Sequence, residues 1–491
     1  MQQQILVIGS GFGGMSAAIR LAAAGHKVTI LEKRDRPGGR AYVFQRGGYT
    51  FDSGPTVITV PFQFDQLWAT AGKKREEYFS LEMVQPFYRL FNHEGRFLEY
   101  GADEEQLIEE IRRWNPADVE GYQRFIAAAG PIFEKGFALI GQPFLTVGDM
   151  LKVAPDLIKL KSYTSVYQFV SQYLQDDFLR RCFSFHPLFI GGNPFDSTSI
   201  YAMVHYLERK WSVWHARGGT GAIVQAMLKL FSEIGGTLEL NADVAEILVE
   251  GRRVKGVRLV DGRTYKADTI VSNADVVHTY RDLIPSRHRR WMNDRNVTSK
   301  KFSMSLAVIY LGINRRYDDG DLVQHNIIFS ERYRELLSDI FNRRVLADDF
   351  SLYLHRPSHT DQTLAPAGHE SMYVLAPVPN LGAKVDWSIA APKLRQAILE
   401  FLELNYMPGL RRHIVMEHMV DPRYYRDALN SHLGAGFSIQ PLLWQSAWFR
   451  PHNRSEDFEN LYLVGAGTHP GAGLPGVIAS GAIAANLIGS A

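Results

Sequence analysis

Ile5-Leu6-Val7-Ile8-Gly9-Ser10-Gly11-Phe12-Gly13-Gly14 decides the fold. An apolar run breaks into a glycine turn, and an apolar-periodic segment follows from Met15 to Ala24. Gly25 ends that segment, and Val28–Leu31 starts a second apolar run that closes on Glu32. The order is strand, turn, helix, strand, acid. Gly9 suits the tight turn, Gly11 lets a pyrophosphate approach the backbone, and Gly14 lets helix and strand pack closely. The helix N-terminus offers unpaired N–H groups and the positive end of its dipole to phosphates. Glu32, 23 positions after Gly9, falls where a carboxylate accepts ribose hydroxyls. The glycines alone would also fit a turn in an ordinary α/β domain. The acid and both strands in their places favour a dinucleotide.

Working outward, 491 residues exceed a single ordinary core and predict two or three lobes. A net charge of +2 gives no bias toward polyanions. The single cysteine, Cys182, excludes an intrachain disulfide framework and fits a reducing compartment. Met1-Gln2-Gln3-Gln4 leads straight into the first strand, so no signal peptide is expected. No apolar run reaches the ~18 residues of a membrane span. A soluble or membrane-peripheral protein is expected.

After Glu32 comes Lys33-Arg34-Asp35-Arg36-Pro37-Gly38-Gly39-Arg40, either a solvated basic turn or a loop along a pyrophosphate. Strands are expected at 87–91 and 96–100, and helices at 104–114 and 118–133. Val147–Ser162 is amphipathic, with Lys152, Lys159 and Lys161 beside Met150, Leu151, Leu157 and Ile158. Such a helix suits an anionic membrane surface or a lid on the protein's own core. A further helix is expected after Arg217-Gly218-Gly219-Thr220. The chain returns to the first sheet near Thr269–Asp275. Strands at 303–312, 351–355 and 371–378 belong to a second, mixed sheet. Leu461–Val464 runs into Gly465-Ala466-Gly467-Thr468-His469-Pro470-Gly471-Ala472-Gly473-Leu474-Pro475-Gly476-Val477, a second glycine-rich strand, turn and helix. Pro475 suits a first helical turn.

The first motif with Arg36–Arg40, Phe51-Asp52-Ser53-Gly54-Pro55-Thr56, Arg217–Thr220, Phe183–Phe195 and Asn460–Leu474 together resemble the bacterial and fungal phytoene desaturases, in the flavin amine oxidase-like superfamily. The resemblance covers essentially the whole chain and is most specific at the C-terminal stretch. It implies an α/β fold: a Rossmann-like FAD-binding domain (1–75, 213–285 and 452–491), interleaved with a mixed-sheet substrate domain (76–136 and 286–451). A helical lid or membrane-docking segment fills 137–212.

The resemblance implies non-covalent FAD and a linear C40 carotenoid. Phytoene would be dehydrogenated through phytofluene, ζ-carotene and neurosporene toward lycopene, by hydride transfer to flavin N5 with proton loss. Carried over by position, Gly9, Gly11 and Gly14 cradle the pyrophosphate and Glu32 holds the ribose. Lys33, Gly39, Arg40 and Gly54 lie along the cofactor, and Val244 contacts the adenine side. Gly465, Thr468, Pro475, Gly476 and Val477 border the isoalloxazine. Asp149 and Lys152 are the candidate catalytic pair, although relatives tend to carry Arg at the second position, and Asp149 also suits a helix N-cap. No histidine is assigned as a base. No metal site is expected. Quinone or oxygen is the expected electron acceptor, since no second nucleotide motif is visible. Such a substrate dissolves in lipid, so peripheral association with the cytoplasmic face of a membrane is implied. An isomerase or ketolase of the same family remains open, as does an amine oxidase. A covalent flavin link is not expected, because Cys182 is far from the C-terminal motif. A flavin-binding protein without catalytic activity is the remaining alternative.

Overall fold

The computed structural model describes residues 1–491. Five parallel strands make the first sheet: Gln4–Ile8 (β1), Lys27–Leu31 (β2), Thr237–Glu239 (β3), Thr269–Ser272 (β4) and Leu461–Leu463 (β5). Their order is β5-β4-β1-β2-β3, so the sheet is completed by chain more than 400 residues downstream of its first strand. The central strands β1 and β4 are buried almost throughout because both faces of a parallel sheet are covered.

Four helices frame the site: Phe12–Ala23 (α1), Val147–Lys159 (α2), Thr220–Glu233 (α3) and Leu474–Ile488 (α4). Helix α1 stops where expected, with Gly25 at φ +94° just beyond it. Helix α4 begins three residues earlier than the sequence suggested, with Pro475 in its first turn. Helices α1 and α4 pack face to face at a contact that admits no side chain at Gly481. A Cβ there would lie 2.7 Å from both Ala17 N and Gly13 O. Ser16 Oγ donates to Ile478 O across the same seam at 2.8 Å.

A second sheet of seven strands runs Ile414–Val420, Ser305–Ile313, Glu370–Val378, Leu352–His355, His325–Ile328, Tyr88–Phe91, Phe97–Tyr100. All pairs are antiparallel except 325–328 with 88–91. Ser305–Ile313 is buried throughout and splits by alternation. Leu306, Val308 and Tyr310 join the large core that surrounds the cavity described below. Ala307, Ile309 and Leu311 join a separate core under the helix Trp387–Asn405. The helix expected over 118–133 runs on to Ile140, through Pro131. A proline inside a helix costs about 3 kcal/mol. Here Phe125, Ala129, Ile132, Phe133, Gly136 and Leu139 keep helical spacing on one buried face, and their burial offsets that cost.

Two motifs distant in sequence meet at the start of α3. The hairpin Val43–Arg46/Tyr49–Asp52 ends on Asp52, whose carboxylate accepts from Thr220 N (2.8 Å) and Gly221 N (3.0 Å). Gly219, at φ +79°, is required there, since a Cβ would sit 2.4 Å from Asp52 Oδ2. Asp52→Ala removes the cap and leaves two buried donors unpaired. A loss of about 2 kcal/mol is expected in denaturant unfolding. An unchanged midpoint would contradict this role.

Candidate active site

One cavity of about 520 Å³ runs from the N-termini of α1 and α4 into an apolar chamber beneath the second sheet. Gly9, Gly11, Glu32 and Arg40 line one end, and Phe185, Leu188, Val308 and Phe329 line the other. Between them lie Gly465, Pro475, Gly476 and Val477.

The three glycine-started helices differ in one respect. Helix α3 is capped by Asp52, whereas α1 and α4 carry no side-chain cap and both open on the cavity. Uncapped N–H groups and two positive dipole ends therefore face the same space, which suits an anionic, extended ligand. The cradle is built of close backbone approaches. A Cβ on Gly14 would lie 2.3 Å from Gly9 O, so Gly14 serves helix–strand packing behind the wall. A Cβ on Gly39 would lie 3.2 Å from Gly11 Cα, and one on Gly54 would lie 2.0 Å from Arg40 O. The carboxylate of Glu32 is buried and held in place: Oε2 accepts from Ser10 N (2.8 Å) and Ser10 Oγ (2.5 Å), and Oε1 from Arg34 N (3.0 Å).

Arg40 reaches the wall and ties it to the far loop, donating to Gly436 O (2.7 Å) and Ser431 Oγ (3.1 Å). Burial lowers its pKa, with Asp275 opposing. Lys33 also lines the cavity, but its ammonium is engaged by Asp427 O (3.0 Å) and Asn430 Oδ1 (2.7 Å). Val244 lies on the wall at the start of its strand. Thr468 does not: its hydroxyl donates to Pro451 O at 2.5 Å, away from the cavity.

Asp149 and Lys152 are not brought to the cavity. The N-cap of α2 is Thr146, not Asp149. Asp149 is the reciprocal partner of a capping box, accepting from Thr146 N (2.9 Å), Thr146 Oγ1 (2.9 Å) and Leu145 N (3.2 Å). Those bonds, led by the Thr146 hydroxyl, lower its pKa. Lys152 points to solvent with its side chain 80% exposed, 3.7 Å from Asp149. This is helix-end chemistry on the outer face of α2.

Other residues complete the wall. Asn273, just past β4, sits against the cradle, 2.7 Å from a Cβ on Gly11. His186 and Glu208 form a buried pair on the chamber wall. His469 lies by the start of α4, with Nε2 at 3.3 Å from Leu139 O, and burial pushes its pKa down to about 4. Burial also takes His325 down to about 3.

Two uncapped helix N-termini converging on a glycine cradle, with a buried acid at the end of the second strand, define a dinucleotide-binding protein with a second, apolar compartment. The model of flavin containing amine oxidoreductases matches residues 12–489, and the chain belongs to that family. Its cofactor is FAD, which the cradle, the uncapped helix ends and Glu32 fit. The chain is 51% identical to the lycopene-forming phytoene desaturase of Pseudescherichia vulneris, over 99% of each chain. It is 51% identical to that of Pantoea ananas, over 98% of each. It is 44% identical to the neurosporene-forming phytoene desaturase of Rhodobacter capsulatus, over 98% of this chain and 93% of that one. Putrescine oxidase bound to putrescine superposes with a TM-score of 0.65 at 15% identity, over 99% of each chain, a likeness of fold alone.

His325 and His469 are held neutral in the folded protein, and in the unfolded chain such residues protonate near pH 6.5. The unfolded state therefore binds more protons below that pH, and stability falls on acidification. Each histidine contributes a loss on the order of 2 kcal/mol by pH 5. Denaturant midpoints should drop between pH 7 and pH 5, less steeply in His325→Gln. A flat pH profile would contradict the neutral assignment.

Proposed function

We propose that the protein desaturates phytoene stepwise, through phytofluene, ζ-carotene and neurosporene, toward lycopene. The observation that carries this reading is the continuity of the flavin cradle with an apolar chamber in which the Glu208 carboxylate and the Tyr353 and Tyr373 hydroxyls are already paired. Tyr353 and Tyr373 present rings to the wall, while their hydroxyls meet Thr56 Oγ1 at 3.1 and 2.7 Å. Tyr353 OH also meets His325 Nδ1 at 2.7 Å. The Glu208 carboxylate is taken up by Tyr88, Tyr100 and His186. A polyamine would find no unpaired carboxylate there, whereas a hydrocarbon asks for none. Bound FAD supplies a hydride acceptor at N5. The chain's own residues hold the extended substrate between aromatic and aliphatic walls and keep water from the reacting carbons.

Helix α2 is the outer wall of the chamber. Met150, Val153 and Leu157 line the cavity, and on the adjoining face Val147, Leu151 and Ile158 are exposed, Leu151 and Ile158 by about two thirds. Tyr163 and Trp444 add exposed aromatic surface, and Lys152, Lys159 and Lys161 are exposed beside it. No helix is long and apolar enough to cross a membrane. An apolar stripe rimmed by lysines suits peripheral docking on an anionic bilayer at its cytoplasmic face. Energetics favour this position. Moving a substrate from lipid into an apolar tunnel is nearly neutral, whereas release to water costs ~0.8 kcal/mol for every CH₂ exposed. A quinone in the same bilayer, or oxygen, would reoxidise the flavin.

Purified protein incubated with FAD, 15-cis-phytoene and liposomes should yield more desaturated carotenes on chromatography. Unchanged phytoene with FAD-loaded protein would overturn the reading. The variant Lys152→Glu/Lys159→Glu/Lys161→Glu should lose sedimentation with anionic liposomes while keeping its flavin content. Sedimentation equal to the parent would remove α2 as the docking element.

A further inference from the structure

Desaturation on the reading above leaves a proton to be taken up inside an apolar chamber, and Asp149 lies outside it. The carboxylates Glu32, Asp243 and Asp275 and the imidazole of His278 lie on wall segments contributed by the nucleotide-binding sheet and the loops that follow it. His469 faces Leu139 O, and its Nδ1 is sealed from the cavity without a partner. What remains on the wall is His186 with Glu208, 3% and 1% exposed.

We infer that His186 is the base that removes the proton from the substrate, and that Glu208 positions it. This inference rests on the desaturase reading. The hydrogen bonds fix which imidazole nitrogen is basic. Glu208 Oε1 accepts from Tyr88 OH (2.7 Å), and Oε2 accepts from Tyr100 OH (3.1 Å) and His186 Nε2 (3.0 Å). A carboxylate with three donors is acceptor only, so Nε2 carries the hydrogen and Nδ1 carries the lone pair. No protein group meets Nδ1, and it is not among the sealed, unpaired polar atoms, which leaves it facing the cavity. The rest of the network agrees. Tyr100 spends its hydrogen on Glu208 and so accepts from His205 Nδ1 at 2.7 Å, and His205 Nε2 then accepts from Tyr122 OH at 3.2 Å. Every donor in the chain points toward Glu208.

Position agrees as well. His186 opens the short helix His186–Ile190, and Ile190 Cγ2 lies 3.1 Å from a Cβ on Gly473, at the start of α4. Four residues of 3₁₀ rise, about 8 Å, separate the imidazole's backbone from that contact. Bound FAD would supply the acceptor for one hydrogen and its bonding pair from one substrate carbon. The neighbouring carbon loses a proton to His186 Nδ1, and the electron pair of that C–H bond becomes the new C=C. The imidazolium formed is paired with Glu208, which stabilises it in the low-dielectric chamber.

His186→Gln keeps an amide donor for Glu208 and removes the base. In quenched single turnovers with FAD-loaded protein, liposomes and phytoene, product per bound flavin should form about 100-fold or more slowly, the scale of general-base removal. The rise of the parent's rate with pH should vanish in the variant. Rates per bound flavin keep poor folding from imitating the effect. Histidine-selective ¹⁵N NMR of the FAD-loaded parent should show His186 protonated at Nε2. A variant with the parent's rate and pH profile, or a parent protonated at Nδ1, would overturn the assignment. A parent that turns over no phytoene would overturn the desaturase reading, and this inference with it.

Discussion

Everything at the site depends on the seam between α1 and α4. Each helix follows a strand of the same sheet, and they touch backbone to backbone at Gly13 and Gly481, with the Ser16–Ile478 hydrogen bond beside that contact. Close contact sets both N-termini at one edge of the sheet, each without a side-chain cap. An extended dianion bound there would meet two positive dipole ends, one from each helix. A Cβ at Gly481 would force the helices apart, because the atoms it meets are backbone. The geometry thus requires small residues at the two ends of a chain nearly 500 residues long.

The same economy explains the contrast with α3. Its glycine turn resembles the other two in sequence, yet its donors are used by Asp52. A glycine-rich helix start binds an external anion only where the protein supplies no anion of its own. The chamber follows a parallel rule: the Glu208 carboxylate and the hydroxyls of Tyr88, Tyr100, Tyr353 and Tyr373 are paired with neighbouring side chains, which leaves mostly ring faces and aliphatic groups toward the substrate. Burial of so many neutral imidazoles is the stability cost of this arrangement in acid.

Much of the nucleotide end was legible in the sequence, because its signals are local: β1, the glycine turn, α1 and Glu32 lie within 32 residues, and Gly465–Val477 is contiguous. The apolar run within 303–312 likewise announces a strand. What stayed hidden depends on burial and pairing. Glu208 is one acid on an otherwise ordinary amphipathic helix, and nothing in Met203–Trp211 says that it is 1% exposed. Asn273 acts through its position after β4, a strand whose place between β1 and β5 no local pattern reveals. Resemblance points to Asp149 and Lys152 as a catalytic pair, and the structure gives them to the end of α2 because Thr146, three residues before Asp149, completes a capping box. Thr468 lies in a legible loop, but its hydroxyl turns inward to Pro451.

The central claim is that one cavity joins the flavin cradle to a hydrocarbon chamber, so that electrons pass directly from a polyene to the cofactor. The most direct measurement is anaerobic mixing of FAD-loaded protein with phytoene in liposomes, followed at the oxidised-flavin absorbance. Loss of that absorbance, with one double bond gained per flavin reduced, is the expected result. Unchanged absorbance with phytoene present in the same bilayer would contradict the account.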